Sequence, residues 1–353
     1  MSRHLILLLF TLLTYSSCTN PAGSDDDEPM LPSFDRREML TNWADVVILP
    51  AHNDLQAKLE ALSGANEAFG TNPDDTTLTE LRGRFKLAYL SFQGLDPFII
   101  GKGEEIRMRE LLNTYPTAVD LIRENAEAGT ANLELPSNTV AQGFPALEYL
   151  LYAASDQLLA DANYRTYATT LVDRMVQLNE TALADWNGTY RELFVQNDGN
   201  SATASIDRMV NDYIFHYEKF LRAGKVGIPA GVFSDDPLAD RAEAQYAGYS
   251  KELFLKALIA SSDFFTNRGL KEYLDVLEVR RDGELLSSQV TAQFSAILEA
   301  SESLEDSFAQ QVEADNGQLL QLYDEMQRLV VLLKVDMVQA LSINIDYVDA
   351  DGD

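Results

Sequence analysis

Apolar residues recur every three to four positions along most of this chain, the spacing that places them on one face of an α-helix. Segments 55–69 and 78–92 show the pattern early in the chain, and segments 159–178 and 201–221 show it later. Segment 319–341 is the most apolar of the predicted helices. Because no run of alternating β-branched residues indicates a strand, we predict an all-α protein built from antiparallel helical bundles.

Polar residues and one proline mark the expected ends of these helices. Thr77 and Glu80 have the spacing of a capping box, and Asp156 and Ser250 precede two later apolar patterns as candidate caps. Pro50 lies inside the first long pattern. Since proline lacks an N–H and clashes with the preceding turn, we expect the helix to kink or break there.

Segment 224–237, GKVGIPAGVFSDDP, is the richest break in the helical pattern, with three glycines and two prolines among apolar residues. A flexible linker is more polar than this, so we expect an ordered and packed connection. We place the boundary of two packed helical-bundle domains here, the first over residues 34–224 and the second over residues 225–350.

The beginning of the chain has a different character. Residues 1–17 contain Arg3 and then an apolar run, which is typical of a signal peptide and too short to span a bilayer. Cys18 follows two serines, an arrangement that resembles a bacterial lipobox, in which the cysteine is acylated. Residues 18–33 are polar and acidic and predict a disordered tether. The alternative is an ordinary secretory signal with an incidental cysteine.

The chain is strongly acidic, with 56 acidic and 27 basic residues and a formal net charge of −29. Nucleic-acid binding draws most of its affinity from Lys and Arg side chains that neutralise phosphates. We therefore expect no nucleic-acid partner. The acidic surface favours solubility and a loose attraction of cations.

Residues that bind metals or act as nucleophiles are scarce. The chain has one cysteine and three histidines, of which His4 belongs to the predicted signal peptide. This composition excludes a structural zinc site of Cys and His ligands, and the GxSxG motif of serine hydrolases is absent. We expect His52 and His216 to form hydrogen bonds between helices or to lie on helix surfaces. The alternative is metal binding, for which Asp212 and His216 have a suitable i, i+4 spacing.

Segment 143–152, GFPALEYLLY, combines a helix start with a carboxylate among apolar residues. Pro145 suits the first turn of a helix, and Glu148 follows with leucines around it. A buried carboxylate is costly unless it is paired, hydrogen-bonded or bound to a cation. Glu148 either caps the free N–H groups of its own helix or points into a packed site.

This segment resembles the GxHxxE motif of the imelysin family of bacterial envelope proteins. Segments 48–62, 85–101, 224–233 and 329–353 are also similar to that family, in the expected order. The resemblance therefore covers nearly the whole chain after the predicted tether. It implies two packed α-helical bundles with the motif in a cleft between them.

The family resemblance also implies a function related to metals. The family is named for a metallopeptidase activity, and many members resemble metal- or iron-related envelope proteins. Gly143 and Glu148 match the glycine and glutamate of the motif, but Pro145 stands where the family has histidine. The nitrogen donor that favours zinc or iron is therefore missing, and we expect the peptidase chemistry to be lost or changed.

We predict an envelope lipoprotein that binds a divalent metal ion (iron, zinc or calcium) or a small ligand in the cleft, with Glu148 as a metal ligand. The role fits metal acquisition, with metal-uptake components as partners, at the periplasmic or outer face of a membrane. One alternative is a metallopeptidase with His52 or His216 as a ligand, and another is a non-catalytic scaffold. The expected neighbours of Glu148 across the cleft are Gln93, Asp96, Tyr249 and Ser250, for which ordinary capping and packing roles are the alternative.

Two charged residues, Lys334 and Asp336, interrupt the most apolar predicted helix. A charge in such a place is expensive unless it is paired. We expect at least one of them to form a buried ion pair or to line the cleft. The alternative for Lys334 is an extended side chain whose ammonium reaches water.

The lipobox interpretation predicts that Cys18→Ala moves the protein from the membrane fraction to the soluble fraction, because the acyl chains lose their attachment site. Cell fractionation and metabolic labelling with palmitate measure this, with Ser17→Ala as the matched control that keeps the cysteine. A Cys18→Ala protein that stays in the membrane fraction would contradict the interpretation.

Overall fold

Helices account for nearly all the regular structure of this protein. The computed structural model describes residues 34–345; the predicted signal peptide, the tether and Cys18 lie outside the described residues. Within them, the β structure is one two-stranded hairpin, formed by Arg280–Arg281 and Glu284–Leu285 paired antiparallel. The prediction of an all-α fold is confirmed.

The first part of the described chain contains two long helices, α2 and α3, that are joined by three residues and pack side by side, with a third long helix, α9, against α2. The α-helices of this part are α1 (Arg36–Asn42), α2 (Leu49–Thr71), α3 (Asp75–Leu95), α4 (Lys102–Glu105), α5 (Met108–Asn113), α6 (Val119–Ala128), α7 (Gly143–Glu148), α8 (Ser155–Ala160), α9 (Ala162–Asp185) and α10 (Arg191–Gln196).

The later part is built mainly on α14 and α15, which pack against each other, and on α12, which also contacts α3. No helix within residues 34–345 has both the length and the apolar character needed to cross a membrane. The α-helices of this part are α11 (Ser205–Phe215), α12 (Ser250–Asn267), α13 (Leu270–Val276), α14 (Leu286–Glu302), α15 (Phe308–Val330) and α16 (Val338–Leu341).

Short segments with other helical hydrogen-bond patterns extend or connect these helices. The expected distortion at Pro50 takes the form of a π-helical segment, Trp43–Ile48, which joins α1 to α2 immediately before the proline. The other π-helical segments are Tyr149–Ala153, Trp186–Tyr190, His216–Gly227 and Val331–Met337, and the 3₁₀ segments are Asp96–Phe98, Pro136–Ala141 and Ala239–Arg241.

Helix α3 begins three residues earlier than the capping pattern predicted. Asp74 is its N-cap, and the Asp74 carboxylate accepts the backbone N–H groups of Thr76 and Thr77 at 2.9 Å. Thr77 completes the capping box from inside the helix by accepting the backbone N–H of Asp74. The predicted box of Thr77 and Glu80 is therefore wrong, because an aspartate upstream offers two acceptor oxygens to the free N–H groups.

Two other predicted caps are also wrong. Helix α9 begins after Asp161, whose carboxylate accepts the backbone N–H of Asn163 at 2.8 Å, while Asp156 lies inside the short helix α8. Ser250 is the first residue of α12, and its hydroxyl donates to the backbone carbonyl of Glu243 at 2.5 Å. The Ser250 hydroxyl therefore bonds to a buried carbonyl and does not cap the N–H groups at the start of α12.

The apolar side chains form two hydrophobic clusters. One draws mainly on α2, α3, α7 and α9, and the other on α1, α11, α12, α14 and α15. Each cluster takes residues from both sides of segment 224–237: Tyr249 packs in the first, and Trp43 and Trp186 pack in the second. The division into residues 34–224 and 225–350 stays a prediction.

Segment 224–237 packs closely at its start. Val226, Gly227 and Ala230 are buried. A Cβ atom at Gly227 would lie 2.8 Å from the ring of Tyr323, so the close approach requires glycine. The prediction of an ordered, packed connection is confirmed for this part, whereas Phe233 is exposed.

Lys334 forms the buried ion pair expected in the last apolar helix. Its ammonium lies 2.8 Å from a carboxylate oxygen of Glu218, whose side chain is 0% exposed against 13% for Lys334. Asp336 pairs with Arg281 at 3.0 Å in a more exposed position. The prediction of at least one buried pair is confirmed.

The observed cap of α3 predicts that Asp74→Ala lowers the melting temperature more than Glu80→Ala does. Asp74→Ala leaves two N–H groups of the first turn without their acceptor, whereas Glu80 is exposed and pairs with Arg84 at 2.7 Å. Differential scanning calorimetry of both variants measures the difference. Equal effects, or a larger effect at Glu80, would contradict the observed cap.

Candidate functional site

The motif helix α7 begins at a residue that must be glycine. Gly143 has a φ of 73°, and a Cβ atom there would lie 2.3 Å from the backbone oxygen of Leu112. Pro145 follows in the first turn. A backbone N–H at this position has no partner inside the helix, so the N–H that proline lacks is not missed. The backbone of α5 and the first turn of α7 therefore fix where Glu148 stands.

Glu148 is the last residue of α7 and is 3% exposed. One of its carboxylate oxygens, Oε1, accepts the backbone N–H groups of Tyr246 and Ala247, each at 2.8 Å. These residues precede α12 and are far from Glu148 in the sequence. The interpretation of Glu148 as a cap of its own helix is therefore wrong: it binds a remote loop to the end of α7.

A second carboxylate, that of Glu243, lies in the same loop and was not found by sequence reasoning. It is 1% exposed. Its Oε1 accepts hydrogen bonds from Asn113 at 2.7 Å, Tyr89 at 3.0 Å and Gln93 at 3.1 Å. Its Oε2 forms an ion pair with the buried ammonium of Lys225. Lys225 lies in the GKVG sequence of the connecting segment. A lysine in this largely apolar segment was the sequence feature that indicated a buried charge here.

The surroundings of Glu148 favour its protonated form. Burial raises the pKa of Glu148 to about 7, and the negative charge of Glu243 adds to this effect, while the two backbone N–H groups oppose it. The carboxyl therefore takes up or releases a proton close to neutral pH.

Asp96 and Arg109 form a neighbouring buried ion pair. Arg109 donates through Nε to the Asp96 carboxylate at 2.8 Å and through Nη2 to the Asp96 backbone oxygen at 2.6 Å. His216 Nε2 lies 3.1 Å from the other carboxylate oxygen of Asp96. Although burial raises the pKa of Asp96, the charge and hydrogen bond of His216 and the charges of Arg109 and Lys225 hold it at about 2.

Asp212 belongs to the same group through Arg109. Both Arg109 Nη atoms donate to the Asp212 carboxylate, each at 3.1 Å. Burial raises the pKa of Asp212 to about 6, against the opposing charge of Arg109. The alternative that Asp212 and His216 form a metal-binding pair is not supported, because Arg109 pairs with Asp212 and no three His, Cys, Asp or Glu side chains of the described residues are placed to hold a metal ion.

The two histidines connect helices, as expected. His52 Nδ1 lies 2.8 Å from the side-chain oxygen of Asn179 and joins α2 to α9, while His216 contacts Asp96. Burial lowers the pKa of His52 to about 4 and also lowers that of His216. Both imidazoles are thus held as hydrogen-bonding groups in the interior.

The four residues expected around Glu148 separate into different groups. Gln93 and Ser250 bind Glu243, and Asp96 binds Arg109. Tyr249 is buried, and the Lys86 ammonium lies 5.0 Å from the centroid of its ring. Their assignment as ligand residues of a cleft stays a prediction.

A cavity of about 280 Å³ opens beside Arg109 and Asp212. Helices α4, α5 and α11 provide most of its lining. Arg208 and Glu104, both exposed, form an ion pair of 2.8 Å there. The apolar lining residues are Ile99, Met108 and Phe215, and the charged ones are Glu104, Arg109, Glu110, Arg208 and Asp212.

The residues around the motif do not match the metal ion that the family resemblance implies. No three His, Cys, Asp or Glu side chains within residues 34–345 are arranged to hold a metal. The Glu148 oxygen faces two N–H groups, and Glu243 faces Lys225 and three neutral donors. A metal ion needs acceptor atoms, whereas these carboxylates are surrounded by donors.

The raised pKa of Glu148 predicts a pH-dependent contribution to stability. Because the pKa rises from 4.5 to about 7 on folding, the folded protein holds a proton between these values that the unfolded chain releases. The free energy of unfolding therefore falls by up to about 3 kcal/mol from this group as the pH rises from 4.5 to 7.

Glu148→Gln keeps an oxygen for the two N–H groups and removes this titration. Its free energy of unfolding, measured with urea across this pH range, should rise relative to wild type as the pH increases. Glu80→Gln, on the exposed face of α3, is the control without such a slope. Parallel profiles for Glu148→Gln and wild type would show that the carboxyl titrates normally.

Known proteins share both the sequence pattern and the fold. The imelysin family profile matches residues 48–334. An imelysin-like protein from Psychrobacter arcticum 273-4 is 18% identical, with a TM-score of 0.71, over 88% of this chain and 97% of that chain. A protein from Parabacteroides distasonis ATCC 8503, described as an iron-regulated protein A precursor, is 13% identical with a TM-score of 0.73, and the same shares of the two chains are covered.

No curated protein sequence is significantly similar to this chain. At these low sequence identities, the two structural similarities show a shared fold. The family profile covers far more than half of the chain and includes the motif segment with Gly143 and Glu148. This protein therefore belongs to the imelysin family.

Proposed function

We propose that this chain is a non-catalytic imelysin-family binding protein of the bacterial envelope, and that it takes a small cationic ligand in the cavity beside Arg109 and Asp212. The ligand is an organic amine or a hydrated divalent metal ion, which share a positive charge. The observation that carries the proposal is this charged cavity, about 280 Å³ in volume, whose lining includes Arg109, the partner of the buried Asp96.

The charges of the cavity favour a cation. Arg109 is already paired with Asp96 and Asp212, and Arg208 is paired with Glu104. Glu110 also lines the cavity, and no basic side chain within residues 34–345 forms an ion pair with it. An incoming cation therefore meets one carboxylate whose charge is not yet balanced.

The size and the lining of the cavity favour a small ligand. Its volume lies near the lower end of the range for small-molecule sites. Ile99, Met108 and Phe215 offer apolar contacts beside the charged groups. An amine with a short hydrocarbon part would use both kinds of contact, whereas a hydrated metal ion would use the carboxylates through its water molecules.

The metallopeptidase alternative has less support. Pro145 supplies no donor atom, Oε1 of Glu148 accepts two backbone N–H groups, and one ring nitrogen of each described histidine contacts Asn179 or Asp96. A catalytic zinc site needs three protein ligands and an open position. The motif region offers no such set within the described residues.

The envelope setting rests on the sequence. A signal peptide followed by Cys18 would place the chain on a membrane through acyl groups, with the acidic residues 18–33 as the tether. One structural neighbour is described as iron-regulated. This supports a role in metal acquisition, with metal-uptake components as partners, in preference to a surface scaffold.

The proposal predicts that Glu110→Gln weakens cation binding about fivefold, the factor for one lost charge contact of about 1 kcal/mol. Isothermal titration calorimetry of the full chain with Mn²⁺, Fe²⁺, Zn²⁺, Ca²⁺ and small primary amines measures the affinity. The metal and amine arms distinguish the two kinds of ligand.

Glu105→Gln is the matched control. It removes the same charge from α4, where Glu105 is exposed and pairs with Lys102 at 2.7 Å outside the cavity lining. Binding should be unchanged in this variant. No binding of any of these ions or amines, or equal binding by wild type and Glu110→Gln, would overturn the proposal.

A further inference from the structure

Two buried carboxylates and one buried ammonium belong to the motif region: Glu148 accepts the N–H groups of the residues three and four positions after Glu243, and Lys225 pairs with Glu243. Glu148, Glu243 and Lys225 are 3%, 1% and 2% exposed. They come from three parts of the chain: the end of α7, the loop before α12, and the π-helical segment His216–Gly227. The charge of Glu243 acts on Glu148, so the two carboxylates repel each other.

Positive charge is needed at this place. Two buried carboxylates without a cation would carry the cost of desolvation as well as their mutual repulsion. In this chain the Lys225 ammonium neutralises Glu243, which it binds directly, while Glu148 accepts two backbone N–H groups. The remaining partners of the Glu243 carboxylate are the neutral donors Tyr89, Gln93 and Asn113.

We propose that the Lys225 ammonium takes the place of a metal cation in this protein. The motif region then holds α7 to the loop before α12 with a cation that is covalently part of the chain. A carboxylate that would otherwise bind a metal binds an ammonium of the protein. The ammonium takes the Glu243 oxygen that the three neutral donors leave free, and it thereby adds to the metal mismatch of the motif region.

The proposal has a consequence for variants that lack the ammonium. Removing Lys225 leaves two buried carboxylates that a divalent cation can neutralise. Because Pro145 provides no nitrogen donor, the new site would have oxygen ligands only, which suit Ca²⁺ and Mn²⁺ better than Zn²⁺. A latent cation site would appear where the native protein has none.

The test uses Lys225→Met, which keeps much of the side-chain length and removes the charge. All variants carry Glu110→Gln as well, so that cation binding in the cavity beside Arg109 does not contribute. This separates the outcome from that of the proposed ligand site. Binding of Mn²⁺ to the full chain is measured by electron paramagnetic resonance, and thermal unfolding is followed with Mn²⁺, with Ca²⁺ and with EDTA.

Lys225→Met should bind Mn²⁺ at least about tenfold more tightly than the parent, since the net charge of the buried group becomes more negative by one. Its melting temperature should fall in EDTA and rise with Mn²⁺ or Ca²⁺. Lys225→Arg keeps the positive charge and should respond to neither. Adding Glu243→Gln to Lys225→Met should abolish the response, because one carboxylate is then neutral.

Two results would overturn the proposal. One is a Lys225→Met protein whose Mn²⁺ affinity and melting temperature do not respond to the cation. The other is a parent protein that already binds Mn²⁺ in a way that Glu243→Gln removes. If Lys225→Met does not fold in EDTA, refolding with Mn²⁺ decides: recovery of the native circular dichroism spectrum supports the proposal, and failure to recover it contradicts it.

Discussion

Ionised side chains buried between helices must find their partners inside the protein, because water does not reach them. This constraint governs the centre of the molecule. Glu243 and Lys225 neutralise each other where three separate parts of the chain meet, and four further donors or acceptors have to stand at fixed positions around them. Helix α3, α5 and the loop before α12 are thereby held in one arrangement, which apolar packing alone specifies less strictly.

The same constraint connects the buried centre to the cavity. Arg109 reaches from Asp96 in the interior to Asp212 at the cavity wall, and its guanidinium stacks over Phe220, 5.1 Å from the ring centroid. His216 completes the group from its own helix. A ligand that approaches Asp212 would therefore alter the electrostatic environment of Arg109. Through Arg109 it would also act on the Asp96 carboxylate, which contacts both Arg109 and His216.

Much of the fold, but little of this network, could be predicted from the sequence. Apolar spacing identified α2 and α3 because each buries one face, and family resemblance identified Glu148. The caps were less certain, since Asp74 and Thr77 both have the chemistry of a cap and only the three-dimensional path of the chain decides between them. Glu243 was not found, because its partners Tyr89, Gln93 and Asn113 are more than a hundred residues away in the sequence. Its nearer partner Lys225 indicates a buried charge but does not identify the carboxylate that pairs with it.

The substitution of Pro145 and the position of Lys225 are best understood together. A histidine at position 145 would need a partner for its nitrogen, and a metal ion is one such partner; a proline needs none. Once the histidine is absent, a metal at this place would depend on carboxylates alone, and an ammonium can neutralise those equally well. The lysine has the further advantage that its presence does not depend on metal supply. Pro145 therefore offers no donor atom to a cation, and the Lys225 ammonium already neutralises the Glu243 carboxylate between α3, α5 and the loop before α12.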